Sequence, residues 1–121
     1  MDVTLYGFPG SNACLATELL LEHAGVTPTH HRLVPMLHVA SVKARGFPGP
    51  TVPAARIDGT RVQGTRRIAR AVADAMPELG LLPLEEPARQ RVLDAERQAE
   101  RFQVAARRII YGLAQDDASI I

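Results

Sequence analysis

The chain has no tryptophan, two tyrosines, three phenylalanines and a single cysteine among its 121 residues. One thiol cannot close an internal disulfide, which excludes a disulfide-stapled scaffold and any dithiol exchange within one molecule. Long apolar runs are missing too: the longest leucine cluster, Leu19 to Leu21, ends at Glu22, far short of the roughly 18 residues that a membrane span needs. The opening "MDVTLYG" has neither a basic n-region nor a long apolar stretch. These features lead us to expect a cytoplasmic protein with a free thiol and no membrane partner. Neither sign of charge dominates, since the formal net charge is +1, so a basic function would have to be local. Arg61, Arg66, Arg67 and Arg70 do cluster, but no aromatic residue interleaves them and Asp74 and Glu78 follow. We therefore expect no nucleic-acid partner. Repeats and low-complexity segments are absent.

What is present suits one globular core, with 46% hydrophobic and 22% charged residues. Val3-Thr4-Leu5-Tyr6 is β-branched and aromatic and is stopped by Gly7, Pro9 and Gly10, the pattern of a buried strand entering a tight loop. From Asn12 to Ala24, Ala13, Ala16, Leu20 and Ala24 recur at helical spacing; Ser11 stands at the N-cap and Gly25 where a left-handed residue would end the helix. Thr29 to Val34, bracketed by Pro28 and Pro35, reads as a second strand, and Met36 to Arg45 as a short helix. Asp58-Gly59 then joins two apolar runs as a hairpin. Thr65 is placed to cap a helix through Ile68, Ala71, Val72 and Ala75, ending before Pro77. "MPELGLLPLEEP" is a linker. After Pro87 a long helix carries Val92, Ala95, Ala99, Phe102, Ala106, Ile109 and Leu113 at alternating steps of three and four, a narrow apolar stripe. Strands one and two must be parallel, because a helix joins them, and the hairpin adds an antiparallel pair. The expected architecture is an α/β domain with a four-stranded mixed sheet, followed by a linker and a long C-terminal helix.

Several residues carry chemistry in this frame. Ser11 at the mouth of the first helix is worth roughly 0.5–2 kcal/mol as an N-cap; it also lies where unsatisfied N–H groups and the helix dipole favour an anion. Cys14 stands where the second cysteine of a C-x-x-C would be, but the first is missing, so it reads as a small buried hydrophobe. His30 and His31 are adjacent on a strand and face opposite sides, which disfavours a shared metal, and no metal site is expected. Arg66 and Arg67 in the opening turn of the third helix oppose its dipole. They are either solvated surface arginines or partners of an anionic ligand. X-Pro bonds are cis in only about 5–6% of cases in folded proteins, so Val52-Pro53 alone reads as trans.

The order of elements, with these punctuation residues, resembles the thioredoxin-like N-terminal domain of the glutathione transferase superfamily. Leu5-Tyr6, Pro9, Ser11 and Gly25 are similar to the family's Ser-type opening; Val52-Pro53 resembles its Val-Pro before strand three; Gly64-Thr65-Arg66-Arg67-Ile68 is similar to its Glu/Gln-Ser-x-x-Ile opening of helix three. "GLLP" resembles the connection into the family's helical second domain. The resemblance implies a thioredoxin-like domain over residues 1–80. Residues 81–121 would be a linker and the first helix of a truncated or partner-completed helical domain. It implies that Ser11 stabilises the thiolate of glutathione, or of another low-molecular-weight thiol, for attack on an electrophilic small molecule in a detoxifying transfer. Val52 would bind the cysteinyl part through its main chain beside a cis Pro53, and Gly64, Thr65 and Arg66 would hold the γ-glutamyl carboxylate. No cofactor beyond the thiol co-substrate is implied, and the apolar stripe would be covered by the sheet domain or by a second copy in a homodimer. Tyr6, the donor in other branches, lies within the strand and reads as core. Gly64 departs from the family's Glu or Gln, and Gln63 is one position away from replacing it. Two other functions stay open: a non-catalytic binding or dimerisation module of the same fold, and glutaredoxin-like thiol exchange through Cys14.

Overall fold

The computed structural model describes residues 1–116, in two compact units, Met1–Leu81 and the chain from Leu82 onward. The last five residues, which the sequence reading gives to the second domain, lie outside the described residues. In the first unit the strands β1 (Val3–Gly7), β2 (Thr29–Arg32), β3 (Ala54–Ile57) and β4 (Thr60–Gln63) form one mixed sheet in the order β2-β1-β3-β4. β1 and β2 are parallel, joined by α1 (Asn12–His23), and β1–β3 and β3–β4 are antiparallel. α2 (His38–Ala44) connects β2 to β3, and α3 (Thr65–Ala75) follows β4. The sheet is thioredoxin-like α/β, with the long helix α4 (Ala88–Asp116) in the second unit.

Local chemistry explains where these elements stop. Ser11 Oγ accepts a hydrogen bond from the Cys14 N–H at 3.3 Å and so caps α1. The helix ends in a Schellman motif: Gly25, at φ 71°, donates to Glu22 O, and Val26 N donates to Leu21 O. At the hairpin Asp58 and Gly59 both have positive φ, 47° and 84°, which suits a two-residue connection between twisted strands. Asp2 N donates to Asp58 Oδ1 and Asp58 N to Asp2 O, both at 2.8 Å, so the hairpin tip is pinned to the chain's start. β2 is shorter than the sequence suggests. Its ladder ends at Arg32, Leu33 N reaches Gly7 O at 2.7 Å, and a left-handed Met36 (φ 74°) turns the chain into α2, which starts at His38 rather than Met36.

The sheet's alternation sorts the core into two clusters. On one face Val3, Leu5, Ala55 and Ile57 pack with Leu21 of α1, with Val26 just after it, and with Ile68 and Val72, the i and i+4 residues of α3. On the other, Tyr6 and Ala54 meet Cys14, Leu33, Val42, Phe47 and Val52. Each fully buried large aliphatic here contributes about 1.5–3 kcal/mol relative to exposure.

In the second unit, α4 is stabilised along its surface. Glu86 Oε2 accepts from Gln90 N, and Asp94 Oδ1 accepts from Gln90 Nε2 at 2.9 Å and Arg97 Nη2 at 2.7 Å. The Gln90 hydrogen bond, and then that of Arg97, hold the Asp94 carboxyl below its ordinary value. Of the apolar stripe, Val92 and Ala106 are half-buried, whereas Phe102, Ile109 and Leu113 are exposed. No helix among the described residues is long and apolar enough to cross a membrane.

Candidate functional site

Three segments that are far apart in sequence are tied together by hydrogen bonds at one end of the sheet. The Val52-Pro53 bond is cis, and Pro53 O accepts from Gly64 N at 2.9 Å. The next residue, Thr65, donates its hydroxyl to Ala13 O at 3.3 Å, in the first turn of α1, which Ser11 caps. The turn after β1, the loop before β3 and the start of α3 thus converge.

Ser11 is half-buried, and its Oγ uses a lone pair to accept the Cys14 amide. Its own O–H proton remains available to a second acceptor, because a hydroxyl is one donor with two acceptor lone pairs. Val52 is buried, yet no hydrogen bond among the described residues uses its N–H or its C=O. A backbone N–H or C=O with no protein partner pairs with water or with a ligand. A β-type main-chain partner would satisfy both.

The start of α3 differs from the sequence reading. Gly64, not Thr65, is the N-cap, with φ 94° and ψ 144° and no side-chain cap; Ile68 N→Gly64 O, at 3.0 Å, is the first helical bond. A positive φ is open to glycine at no steric cost, and it moves the cap back by one residue. Thr65 becomes the first helical residue and its hydroxyl turns to Ala13. The first turn of α3 carries no acidic residue, and Arg66 and Arg67 lie within it, half-buried and exposed respectively.

Gln63 does not stand in for the amide missing at Gly64. Its side chain points to the preceding loop, where Oε1 accepts from Gly49 N and Nε2 donates to Gly49 O and Thr51 O, all at 2.8 Å. Sequence reasoning missed this. The signal was the run "GFPGPTVP", whose prolines and glycines leave carbonyls with no ladder to join. Also unread was Gly7: a Cβ there would stand 2.6 Å from Cys14 Sγ, so the thiol packs directly on the end of β1.

Solved structures share this arrangement of elements. A glutathione transferase homologue from Sulfitobacter, crystallised with bound glutathione, is 24% identical, with a TM-score of 0.62 over 79% of this chain and 47% of that one. A glutathione transferase from Methylococcus capsulatus is 28% identical, with a TM-score of 0.57 over 76% of this chain and 47% of that one. A nematode enzyme of the same kind from C. elegans, 20% identical, reaches a TM-score of 0.73 over 93% of this chain and 53% of its own. The fold is that of the glutathione transferases. The chain spans about half the length of these structures. No protein-family model and no curated protein matches it by sequence.

Within the glutathione-transferase fold the remaining candidates take up structural places. Tyr6 is buried, its ring stacked on His31 at 5.2 Å and met edge-on by Phe47. His30 Nδ1 lies 3.7 Å from Glu18 Oε1 on the exposed edge strand, and no group of metal-ligating residues occurs among the described residues. Arg61 leaves the arginine cluster: its Nε donates to Arg45 O at 2.8 Å, with the guanidinium against the Cα of Gly46. Cys14 is buried at 2% exposure and borders a recess of about 10 Å³ shared with Leu5, Phe8, Glu18 and His30. That is room for a water and not for a thiol-bearing molecule, which counts against thiol exchange through Cys14.

Proposed function

We propose that this chain binds a small peptide-like thiol, glutathione or a close analogue, and holds it as the thiolate for transfer to an electrophilic small molecule. The observation that carries the reading is Val52. Its unused N–H and C=O lie beside a cis proline, in a loop tied through Gly64, Thr65 and Ala13 to the turn that presents the Ser11 hydroxyl. The thiol's cysteinyl backbone pairs with Val52. Its sulfur accepts the Ser11 O–H at the positive end of α1, which favours loss of the thiol proton below the usual value of about 8.5. The thiol proton passes to solvent, and the thiolate's electron pair forms a sulfur–carbon bond with the electrophile as its leaving group departs with the pair of the broken bond, halide in the case of an aryl halide. The Gly64 amide is taken by Pro53 O, so Gly64 contributes as the cap that leaves the first turn of α3 open, while the amide of Thr65 and the side chain of Arg66 hold the ligand's remote carboxylate; the thiol is co-substrate with no further cofactor. The reading includes a cytoplasmic, detoxifying role. It also includes a homodimer, because Phe102, Ile109 and Leu113 leave apolar surface exposed on α4. Sedimentation that finds only monomer at micromolar concentration would remove the dimer from it.

A second reading, a binding module without catalysis, is favoured by one observation: the Thr65 hydroxyl donates to Ala13 and Gly64 offers no side chain, so the carboxylate end of the site rests on main chain and arginine. Calorimetric titration with glutathione, combined with conjugation to an aryl halide, separates the two. The enzyme reading expects binding, and conjugation that Ser11→Ala lowers about tenfold or more, as the loss of a charge-assisted hydrogen bond does. Binding with no conjugation in either protein supports the module. No binding at millimolar glutathione defeats both.

A further inference from the structure

Residues 46–53 run Gly-Phe-Pro-Gly-Pro-Thr-Val-Pro. Three prolines remove three N–H groups, and no regular element covers the stretch. What holds it is the side chain of Gln63, the last residue of β4. Gln63 pairs with Ala54 across the β3–β4 ladder, so both side chains project from the same face; Ala54 belongs to the Tyr6, Phe47 and Val52 cluster. The carboxamide therefore reaches the loop that lies over that face. Both Nε2 hydrogens are donated, to Gly49 O and Thr51 O, while Oε1 receives Gly49 N. Such a set fixes the amide's orientation, since a flipped carboxamide would set a donor against the Gly49 N–H. Gly49 is fitted to it: a Cβ at that residue would lie 3.0 Å from Gln63 Oε1.

We infer that Gln63 is a positioning residue for thiol binding, aiming the main-chain N–H of Val52 at the ligand; this rests on the function proposed above. The peptide unit joining Thr51 to Val52 is a rigid plane. The cis bonds among the described residues are Val52-Pro53 and Glu86-Pro87, so this unit is trans, and the Thr51 C=O and Val52 N–H point in opposite directions. Anchoring Thr51 O on Gln63 Nε2 therefore directs the Val52 N–H away from Gln63. On the other side, Gly64 N holds Pro53 O. Both neighbours of Val52 are pinned, and Val52 keeps its own N–H and C=O for a partner. With both hydrogens committed, Gln63 acts through Val52 and not by touching the ligand.

The test compares wild type, Gln63→Glu, Gly49→Ala, Ser11→Ala and Ile57→Val, reading the Kd for glutathione by calorimetry, the pKa of the bound thiol by ultraviolet thiolate absorbance, and Tm. A carboxylate at 63 accepts from Gly49 N but repels the two carbonyls. Gln63→Glu is expected to raise Kd about tenfold and leave the bound thiol's pKa unchanged, whereas Ser11→Ala raises that pKa with a smaller change in Kd. Gly49→Ala, which displaces the amide by a few tenths of an ångström, raises Kd about threefold and serves if the Glu variant does not fold. Ile57→Val, at the far end of β3, lowers Tm by a similar amount and leaves Kd alone, which separates aiming from general loosening. If wild type binds and both loop variants bind within about twofold of it, the inference is overturned while the thiol reading stands. If wild type does not bind, the thiol reading fails and takes this inference with it.

Discussion

Two helix starts meet beside the cis proline, and they are finished in opposite ways. α1 is closed by a side chain: Ser11 Oγ accepts the Cys14 amide, and the cysteine beneath packs on Gly7. α3 has a glycine cap with positive φ, no side-chain acceptor, and arginines instead of acids in its first turn. A capped start has met its own needs and presents a single hydroxyl, which suits holding one atom such as a sulfur. An uncapped start keeps several amide donors and a local excess of positive charge, which suits a carboxylate. On the function proposed above, the same element, ended in two ways, would serve two kinds of anion recognition, and the Thr65–Ala13 bond ties the two starts together.

The contrast can be broken at four places. The largest effect is expected from Gly7→Ala, whose Cβ would stand 2.6 Å from Cys14 Sγ; overpacking of this kind costs about 1–3 kcal/mol, measured by denaturant unfolding. Adding Cys14→Ala to the same chain should return most of that loss. Next, Ser11→Ala removes the cap of α1 at a cost of about 0.5–2 kcal/mol. The Gly7 variant should move stability and leave the bound thiol's pKa in place; Ser11→Ala should move both. Third, Thr65→Val cuts the bridge between the two starts. Because Ala13 O also accepts from Thr17 Oγ1 at 3.0 Å, the loss should fall at the low end of the range for a hydrogen bond, about 0.5 kcal/mol. Glutathione affinity should drop more than stability does, since the spacing of the two starts is what changes. Comparable in size and opposite in sign is the effect of Arg67→Glu, an exposed substitution that gives α3 an acidic first turn. It should stabilise the chain by about 0.3–1 kcal/mol while weakening an anionic ligand, and it tests the contrast by removing the excess positive charge from the first turn of α3 without adding a side-chain cap.

Where a residue's role is set by its neighbours along the chain, the sequence was enough to read it. Ser11 ahead of an apolar helix, Gly25 after it and Asp58-Gly59 between two strands are local signals, and the structure has a cap, a Schellman motif and a two-residue turn at those places. The isomer of Val52-Pro53 was legible only through the resemblance, because the intrinsic preference is trans and tertiary context decides. The α3 cap was misread by one residue, since a threonine is the better cap by composition and only the backbone torsion of Gly64 shows otherwise. For Gln63 the sequence showed only the need, a proline- and glycine-rich loop with unladdered carbonyls, and not the residue that meets it. Its two partner residues, Thr51 and Gly49, lie 12 and 14 residues earlier in the chain, and nothing in the pattern around it marks a long-range clamp.

The ring of Tyr6 has a practical consequence. With no tryptophan in the chain and Tyr111 half-exposed on α4, Tyr6 is the tyrosine held in a rigid, asymmetric setting, stacked on His31, edged by Phe47 and faced by the Arg45 guanidinium 5.4 Å from its centroid. The near-ultraviolet circular dichroism of this protein should therefore be dominated by one chromophore. Phe47 and Arg45 belong to the segment that α2 and the proline-rich loop share, so the optical signal reports on that side of the sheet and leaves the aliphatic side silent. A label is already in place for following the loop as a ligand binds, without adding a foreign group.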